Sequence, residues 1–296
     1  MRNCTCACNS PDRCLDSRYW DDDHLLMIHL LNLLAVLAYL GATGATLRQA
    51  QQRETENRQA DTVAIAAGVV AAICHGANLA PATIAPGGPA LALGTTVSLI
   101  GLLIVVLYLA ARLLRPLGTL GMLVFPAAAL ALVTGWIFPG EAYAPRLQGS
   151  TALTHILGAG LAYALLSLAL AQALLLTAQD HTLRQKKTTR FFATLPPVET
   201  MEAVLFQLIY AGFALLTVTL ISGGLSSGQM FGNTLLFNHH TVLALLAWLS
   251  ILVLIIGRLT FGWRGRAAVI WTSVGFSLLA LGYFGTRFVL EVLLGN

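Results

Sequence analysis

The stretch that decides the fold is His239-His240-Thr241-Val242-Leu243-Ala244-Leu245-Leu246-Ala247-Trp248-Leu249-Ser250-Ile251-Leu252-Val253-Leu254-Ile255-Ile256-Gly257. After its polar opening it runs without a charge for roughly 20 residues, the length a helix rising about 1.5 Å per residue needs to cross about 30 Å of hydrocarbon. The run is continuous rather than alternating, which argues for a helix and against a strand of a membrane barrel. The same pattern recurs along the chain. Crossings are predicted at 25–47, 62–82, 91–114, 117–138, 152–178, 201–222, 239–257 and 267–294. Composition agrees: 57% of residues are hydrophobic and 10% charged, with a mean hydropathy of +0.75, values that exclude an ordinary soluble domain. The expected fold is all-α, a polytopic bundle of eight transmembrane helices, with 27–296 as one domain and the lipid bilayer as its solvent. No polar stretch is long enough for a soluble domain; the largest, 179–200, is a connector. No nucleic-acid partner is expected.

Orientation follows from the cations, because Lys- and Arg-rich loops are retained in the cytoplasm. Of the 17 Lys and Arg, the odd-numbered loops and their helix ends hold Arg48, Arg53, Arg58, Arg112, Arg115, Arg184, Lys186, Lys187, Arg190, Arg258, Arg264 and Arg266. The even-numbered loops hold only Arg146 and are rich in Gly, Pro and Ser. The odd loops are therefore expected inside and, with an even number of crossings, both termini outside a bacterial inner (plasma) membrane.

Residues 1–26 differ from the rest, carrying Cys4, Cys6, Cys8, Cys14 and the acidic run Asp21-Asp22-Asp23. They lack the order of a signal peptide, which sets cations before an apolar region and small residues after it. The cysteine spacing allows a metal or disulfide cluster but lacks paired CxxC halves. The simpler expectation is translation from Met27, just ahead of a clean apolar helix, with the upstream tail a start-site artefact. Cys74 reads as a small buried hydrophobe.

The informative residues are ionisable groups within or beside the apolar runs, since removing them from water requires a partner or a ligand. His75, in Ile73-Cys74-His75-Gly76-Ala77-Asn78, falls in the outer third of the second crossing. His155 falls in the first outer turn of the fifth, His239 and His240 open the seventh, and His29 lies in the outer part of the first; only His181 is inside. Histidines from four helices thus reach one depth on one side, a pattern suited to a shared ligand such as haem, whose iron takes neutral imidazoles axially. Taken singly, His29 and His181 read as hydrogen-bonded interface residues. Arg287, near the outer end of the eighth crossing, could pair with a propionate or snorkel to headgroups. Trp136 and Phe138 read first as an interfacial belt.

The C-terminal third carries Ala247-Trp248, Gly257-Arg258, Gly262-Trp263-Arg264-Gly265-Arg266, Gly275-Phe276 and Tyr283-Phe284-Gly285. With Leu195-Pro196-Pro197-Val198-Glu199-Thr200-Met201-Glu202 and Leu161-Ala162-Tyr163-Ala164-Leu165-Leu166-Ser167, it resembles the cytochrome c assembly protein superfamily (CcsA/CcmC-like), in its short YpjD-like and HemX-like branch. The resemblance runs from about Met27 to the end. It implies a haem-binding inner-membrane protein acting in cytochrome c assembly or haem handling, with other cytochrome c maturation components as partners. It also implies His75 and His155 as the axial candidates, with His240 and its neighbour His239 as further candidates. One departure stands out: the loop 223–238 contains no Trp, so the tryptophan-rich WWD segment of the full delivery members is missing, which favours haem binding, regulation or an accessory role. The inner Gly-Trp-Arg-Gly-Arg turn reads as a tight connector. The competing readings are a small-solute transporter, or a structural or regulatory membrane protein without haem. Broken helices, a repeat and midplane charges, the marks of a transporter, are not evident. Outer carboxylates beyond the N-terminal tail are limited to Glu141 and Glu291, so catalysis has the least support and no enzyme activity is expected.

Overall fold

A computed structural model describes residues 22–51, 54–83, 92–115, 117–138, 150–186, 195–231, 239–285 and 288. Among them there is no strand, and eight helices are long and apolar enough to cross a membrane. They are α1 (Asp22–Gln49), α2 (Glu54–Thr83), α3 (Leu93–Leu114), α4 (Gly121–Ile137), α5 (Ser150–Arg184), α6 (Val198–Phe231), α7 (His239–Phe261) and α8 (Arg266–Ala280). A 3-10 turn, Gly118–Leu120, leads into α4, and α8 continues as a π-helical turn, Leu281–Gly285. Helices α2, α5 and α6 are longer than the predicted crossings. Their extra turns carry polar residues such as Arg58, Gln59 and Asp180, which need not enter the hydrocarbon while the helical ladder satisfies the backbone internally.

The helices form two up-and-down rings of four. In the first, α1 packs on α2 and α4, and α3 closes the ring on α2 and α4. In the second, α5 packs on α6 and α8, and α7 closes on the same two. The rings meet chiefly where α3 lies against α5. Because lipid tails are as apolar as leucine, such seams depend on close backbone approach more than on hydrophobic burial. The α3–α4 seam is the tightest: a Cβ on Gly94 would lie 1.9 Å from the Phe138 carbonyl oxygen, and one on Gly101 2.6 Å from Ala131. Tyr39, Tyr108 and Phe125 fill the first core; Leu166, Leu205, Ile209 and Ile251 fill the second.

At one end, each ring is tied by an arginine. Arg112 at the end of α3 pairs with Asp61 of α2, also holding the Tyr108 hydroxyl. Arg258 at the end of α7 pairs with Glu202 of α6 at 2.7 Å, lies over the Phe206 ring and donates to the Trp263 carbonyl. Here the Gly-Trp-Arg-Gly-Arg connector folds back on α7. Gly262 and Gly265 have φ of 66° and 49°, left-handed values that glycine adopts without a Cβ penalty. Gly257 leaves room for the Trp263 ring, which a Cβ would meet at 2.3 Å.

Candidate functional site

The opposite end of the bundle gathers the histidines. In the second ring polar groups from several helices meet at the mouth. His155 of α5 pairs through Nδ1 with Ser222 Oγ of α6 at 3.0 Å. His240 of α7 pairs through Nδ1 with the Gly282 carbonyl of the π-helical turn at 3.0 Å. His155 is half-buried, whereas His239 and His240 are open to the surface.

These bonds set the tautomers. A carbonyl only accepts, so His240 carries its proton on Nδ1 and its lone pair on Nε2. Ser222 donates its single hydroxyl hydrogen to the Thr219 carbonyl at 3.0 Å. Its oxygen therefore accepts from His155, which likewise carries the proton on Nδ1 and has its lone pair on Nε2. An imidazole whose Nδ1–H is held by an oxygen is the usual arrangement of a metal-ligating histidine, because the outer bond orients the ring and raises its basicity. Glycine makes room for the His155 ring and stands close beside His240. A Cβ on Gly223 would come within 2.9 Å of His155 Cε1, and one on Gly282 within 3.2 Å of Leu243 Cβ and 3.7 Å of His240 Nδ1. Behind His240 stands an aromatic wall of Tyr283, Phe284 and Tyr163, with adjacent centroids 5.4 to 6.2 Å apart.

The first ring treats its histidines differently. His75 is 0% exposed, with Nδ1 3.1 Å from the Tyr39 hydroxyl and Nε2 2.8 Å from Ser98 Oγ. Both nitrogens are occupied, and in this arrangement neither is offered to a ligand. His29 accepts at Nδ1 from the Trp136 indole N–H at 2.9 Å. Because indole only donates, the His29 proton sits on Nε2, the opposite tautomer from that in the second ring. His181, at the arginine end, bonds Gln185, and Cys74 is buried.

Sequence reasoning placed all of the outer histidines at one end. It did not separate His155 and His240, which the fold sets in one ring, from His75, which lies enclosed in the other. It also missed Ser222, Gly282, Tyr39 and Ser98, the groups that assign the protons. Arg287, with Glu141 and Glu291, lies outside the described residues, as does the cysteine cluster. Among the described residues no group of three or more His, Cys, Asp or Glu is poised to hold a bare metal ion.

Comparison with known proteins gives a consistent result. Residues 30–294 match the family model for the cytochrome c assembly protein. The inner membrane protein YpjD of Escherichia coli is 32% identical over 241 residues, covering 78% of this chain and 88% of that protein. A 28.8 kDa uncharacterized protein of Azospirillum brasilense is 33% identical over 141 residues, 48% of this chain and 52% of its own length. The cytochrome c biogenesis protein CcsA of Nostoc punctiforme is 30% identical over 89 residues, 30% of this chain and 25% of its own. No solved structure matches. With eight membrane-length helices and a family match spanning all of them, this chain is a multi-pass inner-membrane protein belonging to the cytochrome c assembly protein family.

Proposed function

We propose that this protein binds haem at the histidine end of its second ring and acts in cytochrome c assembly as a haem-holding or accessory component, with that end on the outer face of the membrane. The observation that carries the reading is the pair His155 and His240. Each has its Nδ1 proton held by an oxygen, which leaves the lone pair on Nε2, and the two come from different helices of one ring. Two neutral imidazoles so arranged fit the axial demands of haem iron. Tyr283 and Phe284 supply an aromatic surface for the porphyrin, Arg287, two residues past the π-helical turn in sequence, is assigned to a propionate, and His239, next to His240, is a further ligand candidate. His75, the other axial candidate, would have to give up its bond to Ser98 or Tyr39 before coordinating, so its role in this reading is structural. The cations at the arginine end support the orientation. The name of the similar CcsA proteins, cytochrome c biogenesis protein, supports the pathway, and the absence of Trp from 223–238 favours holding over direct delivery.

The test is spectroscopic. The full chain, purified in mild detergent from haem-replete cells, is expected to show a Soret band near one haem per chain that sharpens on reduction. A colourless, folded protein that also fails to take up added haem would sink the reading and bring a small-solute transporter forward.

A further inference from the structure

We propose that Tyr283 is the positioning residue of the histidine site, and that it anchors His240 of the second ring to α3 of the first. This inference rests on the second-ring haem reading for its consequence, but not for its geometry. Tyr283 lies in the π-helical turn whose Gly282 carbonyl receives the His240 proton. Its ring stands 6.1 Å from the His240 ring, at 63°, and its hydroxyl reaches out of the ring mouth to Thr96 Oγ1 of α3 at 3.1 Å. Thr96 already donates to the Ala92 carbonyl at 2.9 Å. A hydroxyl has one hydrogen to give, so at the contact between the rings Tyr283 is the donor and Thr96 the acceptor.

The rest of the surroundings make that contact decisive. Tyr163 of α5 donates to the Leu279 carbonyl just before the turn, and its ring packs edge-on against both Tyr283 and Phe284. A π-helical turn is wider than an α-helical one and is confined to short stretches, often at functional sites. Here the described carbonyls of Leu279 and Gly282 receive side-chain donors from two other helices. Tyr163 fixes the start of the turn and Thr96 fixes its middle. The Gly282 carbonyl, between them, is thereby held where His240 Nδ1 can reach it. Thr96 is 7% exposed and Tyr283 partly buried, so water is a poor substitute for the bond. Ser98, two residues along α3, holds His75 on the first-ring side, which makes α3 the wall between the enclosed histidine and the open pair.

The experiment uses the full chain in detergent, free of haem, with histidine labelled in its ring nitrogens and the His240 resonances followed by NMR. Tyr283→Phe removes the donor and keeps the ring; Thr96→Val removes the acceptor with little change of shape. Both are expected to move the His240 Nδ1 and Nε2 signals in the same way and to leave His29 and His155 in place. The double variant should match either single one, and Thr96→Ser, which keeps the acceptor, should restore the parent spectrum. In haem-loaded protein both variants should release haem about fivefold faster, the size of one net hydrogen bond. His240 signals unmoved in both variants, or moved in Tyr283→Phe alone, would overturn the anchor. If the signals move together but no form of the protein takes up haem, the anchor stands and the haem reading falls.

Discussion

The two rings are built alike and finish differently. Each is a four-helix up-and-down bundle tied at one end by an arginine to a carboxylate on a neighbouring helix, and each brings histidines to the other end. In the first ring the imidazole ends up inside, bonded on both nitrogens, and the remaining histidine is held by a donor in the tautomer that covers Nε2. In the second ring His155 and His240 are each held by an acceptor at Nδ1. The lesson is that a histidine's fitness as a ligand is set less by its depth in the membrane than by whether its neighbour gives or takes a proton. On the proposed reading the first ring is a support and the second a site.

The largest loss of stability is expected at His75. His75→Ala leaves the Tyr39 and Ser98 hydroxyls without their partner and opens a cavity at a fully enclosed position. It is expected to lower stability by about 3 kcal/mol, read as unfolding in detergent against a denaturant series, whereas His155→Ala is expected to change stability by less than about 1 kcal/mol. Equal losses would erase the distinction between support and site. Next is the α3–α4 seam. Gly94→Ala drives a Cβ into the Phe138 backbone, which cannot step aside, and should destabilise by about 2 kcal/mol. Gly158→Ala in the second ring meets only the Thr219 hydroxyl at 3.2 Å and should cost less than about 1 kcal/mol by the same measurement.

The arginine ends sharpen the contrast more gently. Glu202→Gln removes the carboxylate from an Arg258 that is 23% exposed and is expected to cost about 1.5 kcal/mol. Asp61→Asn should cost less, because Asp61 is 38% exposed and Arg112 keeps Tyr108. The smallest effect is expected at the surface: Trp136→Phe frees His29 Nδ1 and should shift stability by roughly 0.5 kcal/mol, detected more readily as a change in the His29 ring-nitrogen signals.

Much of the fold was legible because lipid leaves the backbone few options. Uncharged runs such as 239–257 can satisfy their peptide groups only as helices, and each predicted crossing corresponds to a helix. The same logic carried the histidines to one end, since alternating helices place His155 and His240 at one depth. What could not be read was lateral: which helix lies beside which. His75 and His155 have equal standing in a topology diagram, and only packing puts α2 and α5 in different rings. The proton assignments were hidden for the same reason. Ser222 is an ordinary serine in a glycine-rich stretch until His155 stands against it, and Gly282 matters through its carbonyl, which every residue has. The tyrosine of Tyr283-Phe284-Gly285 was visible as part of a family pattern, with nothing in the sequence pointing to Thr96.

If the second ring, not the first, holds the ligand, the two rings must answer differently to loss of their histidines. The most direct test is the haem content per folded chain of four single variants prepared side by side, His29→Ala, His75→Ala, His155→Ala and His240→Ala. The Soret band is expected to be lost or shifted in His155→Ala and His240→Ala, and retained, chain for chain, in His29→Ala and His75→Ala. A band that survives both second-ring substitutions and disappears with His75 would contradict it.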